Sequence, residues 1–208
     1  MKNMMMMTMI VGLTALGGFV TNQEMRMADV RMKPDQATVE QIISAWKMKP
    51  REAARITIAK YGLPNEATTM RLVWHNNGPW KMTELVNEEI PHNFPKPHPD
   101  CLKQTISYRV PPDKFDELAE YDGSVIVERT KGELSARCDL EGANFLALNL
   151  ANEIVMGKRS VKDARKFYAE TIREMKHAEY MQGLMFQVSR TNQADADKEL
   201  STTESASR

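Results

Sequence analysis

The chain writes almost no chemistry into motifs. It has no G-x-G-x-x-G, no P-loop and no G-x-S-x-G, and its glycines at 17–18 and at 123 are isolated. Nothing therefore specifies a dinucleotide site, a phosphate cradle or an exposed serine nucleophile. Surplus charge is also missing: 28 Lys and Arg face 28 Asp and Glu, with no basic block. Nucleic-acid binding needs a concentrated positive footprint and is not expected. Two cysteines, Cys101 and Cys138, without a C-x-x-C spacing are too few for a disulfide framework. Carboxylates adjoin at Glu88–Glu89, at Asp116–Glu117 and at Glu133 with Asp139, but no pattern makes a pair converge, so a glycosidase mechanism has no support.

What is present is an ordinary globular composition, 42% hydrophobic over 208 residues, which suits one domain plus tails. Lys2 followed by the apolar run Met4–Val20 resembles a signal peptide, with Ala15-Leu16-Gly17 as a cleavage candidate. A start further downstream, at Met25, Met27 or Met32, is the competing reading. Export or membrane tethering follows from the first and a cytoplasmic location from the second. Residues 1–37 are assigned to a leader. Residues 190–208 hold one large apolar residue, Leu200, and are assigned to a disordered tail. The folded domain is placed at 38–189.

Within it, Thr38 and Gln41 read as a capping box for a helix through Trp46. A second helix runs from Pro50 to Tyr61, stopped by Gly62 and Pro64. Met70–His75 and Trp80–Val86 read as a hairpin around Asn76-Asn77-Gly78-Pro79, with His75 opposite Trp80. Residues 102–110 alternate with period two, as a half-buried strand does. A helix follows to Tyr121, with Phe115, Leu118 and Ala119 inward. Residues 124–130 and 133–138 form a second hairpin across Lys131-Gly132. Asp139 caps a helix to Met156 that is apolar on several sides and hence the most buried. Ser160 with Asp163 caps the last helix, whose inner face is Val161, Ala164, Tyr168, Ile172 and Met175. The order ααββ-βαββ-αα predicts an α+β fold: a mostly antiparallel sheet of about five strands with helices on one face.

Functional side chains concentrate in 74–101, which holds three of the four histidines, two of the three tryptophans and five of the ten prolines. Proline removes backbone donors, so 87–100 is predicted as an exposed, stiffened loop. His92, His98, Asp100 and Cys101 are all candidate zinc ligands. Polyproline geometry would, however, hold His92 and His98 roughly 19 Å apart, so no metal and no cofactor is expected. Cys138 faces inward as an inert thiol. Cys101 has the parity of Lys103, on the outer face, so no Cys101–Cys138 disulfide is expected. The candidate binding surface is His75, Asn76, Trp80, His92, Asn93, Phe94 and His98. Trp74 and Trp80 are equally suited to core and to surface.

The strings YGLPNEAT, HNNGPW, PHNFPKPH and FDELAEYDGSVIVERTKGELSARCD resemble those of a bacterial family of uncharacterised proteins. The resemblance covers about 38–187 and implies only that this stretch is one domain; it transfers no function. The resulting expectation is a binding module for a small molecule or a protein, not for nucleic acid. A membrane contact would arise only through the N-terminal apolar run. The alternatives are an enzyme using His75, His92 or His98 as acid–base group and a structural subunit of a larger assembly.

Overall fold

The computed structural model describes residues 33–189 and 191–197. Five helices pack against one open, six-stranded antiparallel sheet of order β1-β2-β3-β4-β6-β5. The strands are β1 (Glu66–Ala67), β2 (Arg71–Asn77), β3 (Trp80–His92), β4 (His98–Ser107), β5 (Val125–Glu128) and β6 (Glu133–Cys138). The helices are α1 (Gln36–Ser44), α2 (Met48–Tyr61), α3 (Phe115–Tyr121), α4 (Glu141–Val155) and α5 (Val161–Glu174). The α+β class and antiparallel sheet agree with the sequence pattern; the sixth strand is the two-residue β1. Among the described residues no helix is long and apolar enough to cross a membrane. The leader assignment lies outside the described residues except for 33–37.

Two apolar clusters hold the layers together. Val39 and Ile43 of α1, Trp46 in the turn after it and Ala53 and Ala54 of α2 meet Leu72, Trp74, Leu85 and Leu102 on the sheet. Across the other half, α4 buries ten of its fifteen residues against Ile106, Leu134, Ala136 and α5. A helix apolar on several sides has no solvent face to offer, and α4 is indeed central.

Several helix ends differ from expectation. Asp35, not Thr38, caps α1: its carboxylate accepts the Thr38 N–H at 2.7 Å, so the aspartate three residues earlier takes the role. Leu140, not Asp139, stands at the N-cap of α4 and offers no side-chain bond. Ser160 does cap α5, accepting from the Asp163 N–H. Ala119 is exposed, and Tyr121 takes the inward place beside Leu118. Met175 lies beyond the end of α5 in a left-handed conformation and is exposed, so Thr171 fills the inner face instead.

The first hairpin shifts by two residues. Asn77 pairs with Trp80 and His75 with Met82. The corner is Gly78-Pro79, not a turn centred on Asn77. Gly78 has φ +59, and the fixed φ of proline suits the position after it, as in a type II′ turn. Both tryptophans are core. Trp80 stacks on Phe145 with centroids 4.7 Å apart, and the Trp74 indole N–H donates to the Gly62 carbonyl at 2.9 Å.

The largest correction concerns 87–100. Most of it is strand, and only 93–97 is loop. His92 pairs with His98, Pro91 with Pro99 and Ile90 with Asp100, beyond an irregularity between Leu85 and Ile90. The prolines fit because both strands are edges there. β2 leaves β3 after Val86, and β6 joins β4 only from Leu102. A strand with a free side loses no ladder bond to proline.

Candidate functional site

The hairpin that ends at 93–97 brings His92 and His98 together across the ladder, with ring centroids 5.0 Å apart. The extended separation expected from the prolines is therefore wrong. Two residues further along β4, Asp100 points to the same place. His92 Nδ1 lies 3.6 Å and His98 Nε2 3.3 Å from Asp100 Oδ1. The three atoms are buried and none makes a hydrogen bond. Asp100 is 1% exposed, His98 13% and His92 19% by side chain.

Each of these side chains is held from behind. His98 Nδ1 is 2.9 Å from the Lys96 carbonyl, an acceptor, so Nδ1 carries the hydrogen and Nε2 is the atom turned inward. His92 directs Nε2 to Asp122 Oδ1 at 3.4 Å and Nδ1 inward. Asp100 Oδ2 accepts the Ser124 hydroxyl and has Arg137 Nε 3.8 Å away, which leaves Oδ1 to the centre. Asp122 is fixed in turn by the Ser124 N–H at 2.8 Å. Histidines that bind metals nearly always hand their other ring nitrogen to a carboxylate or a carbonyl in this way.

The electrostatics couple the group. The Asp100 carboxylate facing its ring, first, and the Cys138 thiol push His98 up to about 11. Burial raises the Asp122 carboxyl, against the Ser124 N–H and the His92 ring, which lower it. Burial likewise raises the Cys138 thiol.

The covering is the 93–97 loop. Phe94 lies against Tyr168 of α5 with centroids 5.1 Å apart, and the Arg165 guanidinium sits 4.0 Å over its ring. Arg173 donates to the Pro95 carbonyl. Phe94 is thus a partly buried lid rather than an exposed contact, while Asn93 is exposed. His75 does not join this group. It is exposed on β2 and pairs with Glu66 at 2.9 Å. Asn76, with φ +52 beside the first turn, and Trp80 line a different feature. That feature is a broad cleft bounded also by Lys60, Tyr61, Lys81 and Phe145, and by none of the four histidines.

Beneath the cleft lies a polar centre with no sequence signature. Glu141 opens α4 and accepts Tyr61 Oη at 2.6 Å, Trp80 Nε1 at 2.7 Å, Gln104 Nε2 at 3.0 Å and Lys60 Nζ. Burial acts to raise this carboxyl, but Lys60, Tyr61, Trp80 and Gln104 outweigh it and hold it below its ordinary value. With three donors on Oε1 and Lys60 on Oε2, Glu141 ties α2, β3, β4 and α4 together.

Cys101 and Cys138 are free thiols, and both are buried. Cys101 is not on the outer face. It packs into the α1–α2 cluster, and burial pushes its thiol up to about 12. The polar partners that complete the histidine site, Asp122, Ser124 and Arg137, come from the segment between α3 and β5 and from β6; spacing alone gave no signal for them.

Compared with family models, curated proteins and solved structures, the chain gives no match.

Proposed function

We propose that this protein is a binding module whose ligand is a divalent transition-metal ion, held by His92 Nδ1, His98 Nε2 and Asp100 Oδ1. The carrying observation is the spacing of these atoms. At 3.3 and 3.6 Å from Asp100 Oδ1, the two nitrogens are too far for good hydrogen bonds, which run to about 3.2 Å. They match the edge of a tetrahedron around zinc, which is about 3.3 Å for ligands roughly 2.0–2.1 Å from the ion. All three atoms lie within 4.8 Å of one another. The competing occupant is the proton on His98 Nε2, which an incoming ion must displace. The acid–base reading has less support, since the histidines do not line the cleft.

The test uses the full chain, free of any polyhistidine tag and stripped with a chelator, titrated with zinc by calorimetry. One equivalent should bind. At free zinc a hundredfold above Kd the fold gains about 2.7 kcal/mol, a rise in Tm of roughly 5–10 °C. His92→Ala and His98→Ala should each remove that rise. Zinc uptake unaffected by both variants, or no uptake by the wild type, refutes the proposal.

A further inference from the structure

Three protein donors leave a tetrahedral ion one ligand short. We infer that the Cys138 thiolate is the fourth ligand, so that two histidines, one aspartate and one cysteine form a centre built for a borderline-soft ion such as zinc or cobalt. The inference rests on the metal reading above and specifies its donor set.

Its ground is placement. Cys138 pairs with Leu102 across β4 and β6, and Leu102 is two residues from Asp100. Residues directly opposite across a ladder share a face, as do residues two apart along a strand. The Cys138 thiol therefore shares a face with Asp100, although in its present rotamer the sulfur stands outside the group that His92, His98 and Asp100 form within 4.8 Å of one another. It is 6% exposed. Its S–H is directed at Asp139 Oδ1 at 3.5 Å, a contact that rotation about the Cα–Cβ bond releases. Asp100 Oδ1, without a hydrogen bond on a side chain that is 1% exposed, marks independently where the ion sits. Asp122 is the other nearby donor, but it is committed to His92 Nε2 and to the Ser124 N–H. On binding, the S–H proton leaves to solvent, a sulfur–metal bond forms, and nothing is oxidised or reduced. A thiolate favours zinc or cobalt over magnesium and calcium, which prefer all-oxygen sites.

Cobalt(II) is the probe, titrated into the same stripped, untagged full chain and followed by absorption. One equivalent should produce the intense visible bands of four-coordinate cobalt together with a near-ultraviolet sulfur-to-cobalt charge-transfer band. Cys138→Ser should abolish the charge-transfer band and weaken binding at least tenfold, while Cys101→Ser leaves the band in place. Cobalt uptake that needs His92 and His98 but shows no charge-transfer band in the wild type overturns Cys138 as ligand and leaves the metal reading standing. A band that survives Cys138→Ser also overturns it. Absence of any uptake overturns both.

Discussion

At the scale of single residues, a buried carboxylate, Asp100, and a half-buried one, Glu141, define the molecule, and they differ in how their oxygens are used. Asp100 keeps one oxygen free of hydrogen bonds, and Glu141 keeps neither. The Glu141 contribution is electrostatic and can be read against pH. Its folded pKa is depressed, so the stability it supplies is full above the unfolded value near 4.5. That stability is lost as pH falls through the lower folded value. Glu141→Gln keeps the shape but removes the charge that four donors face, at a cost of about 2 kcal/mol at neutral pH. Urea midpoints measured from pH 7 down to pH 3 should show wild type and variant converging at the acid end. A gap that persists unchanged to pH 3 would mean Glu141 acts by packing alone. Nothing local in the sequence marks Glu141, because its donors lie 37, 61, 80 and 81 residues away.

At the scale of elements, the legible parts were those decided by neighbours in the chain. The strands β4 and β6, the Ser160 cap and the stop at Gly62 depend on a few consecutive residues and were readable, but the half-buried alternation was not matched, since Thr105 and Ser135 are buried on the second face and bond each other. The Gly78-Pro79 corner was misplaced because Asn77-Gly78 suits one turn and Gly78-Pro79 another, and a shift of two residues leaves every side chain on the same face, so the hydrophobic pattern does not choose between them. The 87–100 hairpin was missed for a related reason. Proline excludes a central strand but not an edge, and edge status belongs to the sheet rather than to the segment. That error hid the candidate metal centre, whose three donors fall within nine residues and needed only the chain reversal at 93–97 to meet. The same reversal changes what Phe94 does. Sandwiched between Tyr168 and Arg165, it should stabilise the fold, so Phe94→Ala should cost about 2 kcal/mol and lower Tm by roughly 5 °C. A melting temperature within a degree of wild type would return 93–97 to the status of a free surface loop.

At the scale of the whole molecule, the chain beyond residue 189 makes contacts with the segments that follow β4 and β5. Asp195 pairs with Arg109 at 3.0 Å and with Arg129 at 3.1 Å, and Asp197 pairs with Arg129 at 2.6 Å. The backbone of Gln193 crosses directly over Gly132 in the β5–β6 turn, where an added Cβ would stand 2.1 Å from it. Composition marked this stretch as too polar to order itself. It did not show that two arginines, one beside β4 and one after β5, wait for its carboxylates. Ion pairs at a surface contribute little each, so ending the chain at 189 should lower the stability only slightly. Gly132→Ala tests the crossing itself through two separable penalties. The residue has φ +63, which costs any other residue about 1 kcal/mol wherever the tail lies. In the full chain the new methyl also displaces the 191–197 segment. The substitution should therefore be more damaging in the full chain than in the chain ending at 189, with a coupling close to the cost of the truncation itself. Equal effects of Gly132→Ala in the two backgrounds would show that the segment does not rest on the turn, and the boundary at 189 would then stand.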